Sequence, residues 1–158
     1  MEIWIAAYVV LMVSIAVMDG VLGIKSFRKN KTTGRYLGVA CMWATIIDIS
    51  YLCSILSKSY GFVSVMSSIY FMGIDGVLIC LFIFTTYFTK GAFSRLEKVL
   101  TRICLVYALF DFAVLAVNPF CHIAIDYIRR NTLISCYRYE MNLLYQLHLV
   151  FSYAVVVC

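Results

Sequence analysis

Five long runs of apolar residues dominate the sequence, and short polar segments separate them. The runs cover residues 3–24, 36–56, 65–88, 99–117 and 143–158. A helix needs about 20 apolar residues to cross roughly 30 Å of hydrocarbon, and the first four runs reach or approach this length. Strands of membrane barrels are about half as long and alternate apolar with polar residues. The pattern therefore predicts an all-α, polytopic transmembrane helix bundle with five helices.

The fifth run is shorter than the others. Its 16 residues correspond to a helix of about 24 Å, and no charged residue at its end marks a membrane interface. We therefore expect residues 1–158 to form a single transmembrane domain that is truncated at its C-terminus.

The composition indicates that these helices are surrounded by lipid. Apolar residues make up 64% and charged residues 13% of the chain, whereas soluble domains contain about 45–50% and about 25%. A soluble chain of 158 residues cannot bury so much apolar surface. The net charge of +5 does not indicate nucleic-acid binding, because the basic residues lie mostly in short turns, as membrane orientation requires.

The distribution of the basic residues predicts the orientation in the membrane. Segment 25–35 contains five basic residues and no acidic one, and segment 89–98 contains three basic residues and one acidic one. Segment 57–64 contains one basic residue, and the three in segment 118–142 are diluted by two acidic residues. Since Lys and Arg accumulate on the cytoplasmic side, we expect a multi-pass protein of the plasma membrane with its N-terminus outside.

Ionisable residues inside the apolar runs are the main candidates for function. An ionised Asp at the middle of a membrane helix costs about 2.5–3.5 kcal/mol, so such residues usually face the bundle interior. Four groups lie at one depth, roughly 8–12 Å below the outer helix ends at 1.5 Å per residue: Asp48, Asp75, Asp111 and His148. Asp19 instead lies near the inner end of the first helix.

Two interpretations of these four groups remain open. They line an outward-opening cavity that binds a small ligand or protons, or each Asp is a neutral, hydrogen-bonded link between helices. No Lys or Arg lies at the same depth, so His148 is the only available cation and at most one Asp pairs with it. The other carboxyl groups must then be protonated, hydrogen-bonded or hydrated.

Polar neighbours on the same helix faces extend this candidate cavity. Tyr107 and Asn118 share a face with Asp111, and Tyr51 follows Asp48 by three residues. The complete set of candidate cavity residues is Asp48, Tyr51, Asp75, Tyr107, Asp111, Asn118 and His148. Because a proline disfavours helix at the preceding residue, we expect the fourth helix to end before Asn118, with His122 in a turn outside the membrane.

No motif in the sequence indicates catalysis. Nucleophile elbows, metal-binding motifs and glycine-rich phosphate loops are all absent, so we expect no enzyme activity, no cofactor and no metal in this chain. Cys121 and Cys136 share one polar segment. They can form a disulfide if that segment faces an oxidising space, and the alternative that they are two free thiols stays open.

Several short motifs occur together in a recognisable order. They are Trp43, Ser67-Ser68-Ile69-Tyr70-Phe71, Phe84-x-x-x-Phe88-Thr89, Asp111, Asn118-Pro119-x-x-His122 and Tyr145-x-x-His148-x-x-x-Ser152-Tyr153. In these features the chain resembles the first five helices of the N-terminal seven-helix membrane region that precedes bacterial histidine kinase and GGDEF (diguanylate cyclase) output domains. The resemblance covers only five of the family's seven helices, so we expect the 158 residues to be the front part of such a receptor.

The resemblance implies an outward-facing sensory region that binds an unknown small ligand and controls a cytoplasmic enzyme, as a homodimer of the parent receptor. Two other functions remain open. Intramembrane acids also serve proton relays, which favours a small proton-coupled transporter or a subunit of a membrane complex. A purely structural membrane partner would use its aspartates only to join helices.

Overall fold

The computed structural model describes residues 2–29, 32–130 and 136–157. Within these ranges the chain forms five α-helices and two β-strands. They are α1 (Glu2–Arg28), α2 (Thr32–Leu56), α3 (Tyr60–Lys90), α4 (Arg95–Cys121), β1 (Ile125–Arg129), β2 (Tyr137–Met141) and α5 (Leu143–Val157). The first four helices are long and apolar enough to cross a membrane, and α5 is a shorter apolar helix. The predicted all-α membrane bundle is confirmed; Cys158 of the predicted fifth helix lies outside the described residues.

The helices extend beyond the apolar runs, because polar residues continue them into their end turns. The helix α4 begins at a capping box, in which Ser94 accepts a hydrogen bond from the Glu97 amide and Glu97 accepts one from the Ser94 amide. The prediction that this helix ends before Asn118 was wrong. The helix continues through Pro119, and the amide of His122 donates to the carbonyl of Asn118 over 2.9 Å, so the proline lies in the last turn.

Helix α3 is the centre of the bundle, with α2, α4 and α5 packed around it, while α1 packs against α2. Glycines permit the close approach of α2 and α3. A Cβ atom added to Gly73 would lie 2.5 Å from Ile47, and one added to Gly76 would lie 2.6 Å from the Trp43 ring. Small residues at such crossings are typical of membrane helices.

The outer surface of the bundle is apolar and suits contact with lipid. Helix α1 is the clearest case, since only 6% of its most apolar window is buried. Its exposed side chains include Trp4, Val10 and Val17. Lipid chains can cover these side chains without cost, because they are equally apolar.

A two-stranded antiparallel hairpin lies between α4 and α5, where the sequence predicted only a polar loop. Ile125 pairs with Met141 at one end of the ladder and Arg129 with Tyr137 at the other. Residues 131–135, which join the strands, lie outside the described residues. The main apolar core lies beneath this hairpin: Val63, Phe71, Leu115, Ala124, Ile125, Tyr127 and Tyr145.

The hairpin and the most basic turns lie at opposite ends of the bundle. The hydroxyl of Tyr137 in β2 donates to the carbonyl of Lys58 over 3.1 Å, so the hairpin lies beside the turn between α2 and α3. At the other end, Tyr36 near the start of α2 stacks on Tyr87 near the end of α3, with ring centroids 5.7 Å apart. There Lys90 forms an ion pair with Glu97 across the turn between α3 and α4.

Candidate functional site

Three helices bring two aspartates and a histidine together in the centre of the bundle. Asp75 of α3, Asp111 of α4 and His148 of α5 form this triad, and their exposed fractions are 0%, 3% and 2%. Nδ1 of His148 lies 2.6 Å from Oδ2 of Asp111, a hydrogen-bond distance, and 3.5 Å from Oδ1 of Asp75. The triad therefore joins α5 to both α3 and α4 through polar groups that lipid cannot replace.

Aromatic rings enclose the triad. The ring of Phe71 packs edge-on against His148 with centroids 5.7 Å apart, and the ring of Tyr145 lies 5.6 Å away on the same imidazole. Below them, Tyr107 of α4 stacks on Phe151 of α5 at 4.0 Å. Tyr107, a predicted cavity residue, thus packs α4 on α5 one turn from Asp111.

Asp75 is the least satisfied member of the triad. Neither of its carboxylate oxygens has a hydrogen-bond partner among residues 2–29, 32–130 and 136–157. Two ionised aspartates beside a protonated histidine would leave one net negative charge in an apolar interior, which is costly. The triad therefore favours an additional positive charge, either a shared proton or a bound cation.

Asp48 does not join the other three predicted groups. It lies on α2, is only partly buried, and interacts electrostatically with Asp19 of α1. Of the four predicted groups, three therefore meet in one buried cluster, and Asp48 lies apart from them. Depth along a helix can be counted from the sequence, but the neighbour that each helix face meets depends on packing, and Asp48 lies near Asp19 of α1 and Tyr70 of α3.

A separate cavity of about 230 Å³ lies between the hairpin and the ends of α2 and α3. Tyrosines from α2, α3, β1 and β2 line much of it: Tyr51, Tyr70, Tyr127, Tyr137 and Tyr139. Phe71 also lines this cavity and contacts His148, so one ring lies between the cavity and the triad. Burial raises the pKa of Tyr127 to about 12, which keeps its hydroxyl neutral at any physiological pH.

Asn118 organises the start of the hairpin rather than the triad. Its side chain is fully buried. Its Oδ1 accepts hydrogen bonds from the amides of Ala124 and Ile125 at 2.8 and 2.9 Å, and its Nδ2 donates to the carbonyl of Ile125 at 3.2 Å. These bonds fix the turn that follows α4, so Asn118, which was predicted to line the cavity, instead holds the start of the hairpin.

The two cysteines of this region are not bonded to each other. Cys121, at the end of α4, is exposed, and Cys136, beside β2, is buried. No disulfide bond joins them in the described part of the chain. Nearby, the Tyr60 hydroxyl lies 3.2 Å from Nδ1 of His122, which ties the end of α4 to the start of α3.

No family model matches this chain, no curated protein is similar in sequence, and no solved structure is similar in fold.

Proposed function

We propose that this chain is the membrane-embedded sensory region of a bacterial signal-transduction receptor, with its N-terminus and hairpin outside the plasma membrane. The single observation that carries the proposal is the buried triad of Asp75, Asp111 and His148. It is the kind of costly intramembrane polar cluster that marks functional sites. It also connects three helices, so a change in its occupancy or protonation changes how those helices pack.

The path of a stimulus follows from the arrangement of the two sites. The tyrosine-lined cavity lies next to the hairpin, at the end of the bundle opposite the most basic turns. A small ligand in that cavity would displace Phe71, which contacts His148. Movement of His148 would shift α5 relative to α3 and α4, and a parent homodimer would pass that shift to a cytoplasmic output domain.

A proton-coupled transporter is the second candidate. The buried carboxylate of Asp75, whose oxygens accept no hydrogen bond among the described residues, supports it, because a buried proton acceptor between helices is what a relay requires. A transporter needs only further helices after α5, whereas a receptor needs an output domain.

The reading frame beyond the codon for Cys158 in the source genome distinguishes the two functions. We expect it to continue through further membrane helices into a histidine kinase or diguanylate cyclase domain. A frame that adds only membrane helices, or one that stops at once, would contradict the receptor proposal. In either case, proton-driven uptake of a solute into vesicles would then be the test of transport.

A further inference from the structure

The triad has the composition of a metal site, although no sequence motif indicated one. We propose that Asp75, Asp111 and His148 bind one divalent transition-metal ion, of the kind represented by zinc. The inference rests on the proposed function, since it names the ligand of the same site. One ligand atom from each residue lies within 4.8 Å of the other two. Imidazole nitrogen and carboxylate oxygen are ordinary zinc ligands, and three protein ligands leave one coordination position open.

The spacing of the ligand atoms is close to what such an ion needs. Zinc binds nitrogen and oxygen at about 2.0–2.2 Å, so two ligands of a tetrahedral site lie about 3.4 Å apart. Nδ1 of His148 and Oδ1 of Asp75 are already 3.5 Å apart. Nδ1 of His148 and Oδ2 of Asp111 are 2.6 Å apart, so this pair must open by roughly 0.8 Å as the ion replaces the shared hydrogen.

The state of Asp75 is an independent observation that points to a ligand. This side chain is fully buried, and both of its oxygens are without a hydrogen-bond partner among the described residues. Buried polar groups without a partner are rare, and each needs an explanation such as an ion. A metal ion bound between Asp75 and His148 would satisfy the carboxylate directly.

The formal charges of the three side chains and a divalent cation add up to zero. Two carboxylates carry two negative charges and a neutral imidazole carries none, so a divalent cation makes the whole site neutral. Neutrality matters because an uncompensated charge in an apolar interior is expensive. No Lys or Arg side chain approaches the triad among the described residues, so the protein itself does not supply the second positive charge.

Aromatic rings pack around the proposed metal site and connect it to the tyrosine-lined cavity. The rings of Phe71 and Tyr145 hold the imidazole in place, as supporting contacts of metal ligands do. Phe71 also forms part of the wall of the tyrosine-lined cavity. This one ring therefore lies between the tyrosine-lined cavity and His148.

Zinc binding by the purified chain tests this directly. The full chain, stripped with a chelator and placed in lipid nanodiscs, is dialysed against zinc chloride, and bound metal is measured by mass spectrometry. We expect about one zinc per wild-type chain. Asp75→Asn and His148→Ala should bind at least about 100-fold more weakly, since even the loss of a supporting contact costs about 10–100-fold. Asp48→Asn is the matched control and should bind as wild type does.

X-ray absorption spectroscopy of the zinc-loaded wild type identifies the atoms that bind the ion and does not depend on whether a variant folds. We expect nitrogen and oxygen neighbours at about 2.0–2.2 Å and no sulfur at about 2.3 Å. Sulfur ligation, or equal binding by wild type, Asp75→Asn and His148→Ala, would overturn the metal site. Zinc binding needs no output domain, so its failure leaves the sensory proposal intact, and a contrary reading frame leaves zinc binding intact.

Discussion

Replacing His148 by alanine should lower the free energy of unfolding by about 3–5 kcal/mol, because it leaves two buried carboxyl groups without their counter-charge. The 2.6 Å contact with Asp111 lies at the short end of hydrogen-bond distances, where bonds between charged groups are found. Both side chains are almost completely shielded from solvent. The measurement is denaturant unfolding in mixed micelles, followed by circular dichroism, with a chelator present so that no ion substitutes for the histidine.

The other histidine of the chain provides the control. His122 is partly exposed and contacts the Tyr60 hydroxyl, so His122→Ala should cost only the roughly 0.5–1.5 kcal/mol of a single hydrogen bond. A neutral hydrogen bond between membrane helices contributes about 0.6 and at most about 1.7 kcal/mol. A loss of that size for His148→Ala would mean that the triad is not an ion pair.

Replacing Asn118 by alanine should be the second most damaging change, with an expected loss of about 2–4 kcal/mol. Three hydrogen bonds disappear together, each contributing about 0.5–1.5 kcal/mol. The amides of Ala124 and Ile125 then remain buried without an acceptor. We expect the start of the hairpin to open, which hydrogen exchange would detect as a rise of at least about tenfold at these two amides.

Asn142 offers a matched comparison at the same end of the hairpin, because it follows β2 directly and its amide donates to the carbonyl of Ala124. Its side chain is exposed and donates one hydrogen bond, to the carbonyl of His122 over 3.0 Å. Asn142→Ala should therefore cost no more than about 1.5 kcal/mol. Equal exchange rates at Ala124 in the wild type and in Asn118→Ala would show that Asn118 does not hold the hairpin.

The helices and part of the site were predictable because both follow from the number of residues in each apolar run and from the position of each polar residue within it. Apolar runs of about 20 residues indicate helices, because only helices and closed barrels satisfy the backbone in lipid and barrel strands are about half that length. Counting residues from the helix ends placed Asp75, Asp111 and His148 at one depth, and the structure brings these three together. The same count included Asp48, because residue spacing gives depth but not the neighbour that a helix face meets.

The hairpin was missed although its strands carry a readable pattern. Tyr137, Tyr139 and Met141 alternate with Arg138 and Glu140, and this period of two is typical of a strand with one face packed on a core. The tyrosine-lined cavity depends on that hairpin, so it was missed as well. Only the pairing of β2 with β1 brings Tyr137 and Tyr139 to Tyr51, which lies far away in the sequence.

The central claim, that the triad sets the position of α5, is tested most directly by a distance between α4 and α5. Spin labels are attached to unnatural ketone residues at the positions of Val99 and Tyr153, which are both exposed. Double electron–electron resonance then measures the distance between the two labels. We expect Asp111→Leu to shift or broaden the distance distribution by about 2 Å, the size of helix movements in signalling proteins. Asp48→Leu should leave it unchanged. Identical distributions in the wild type, Asp111→Leu and Asp48→Leu would contradict a role for the triad in positioning α5.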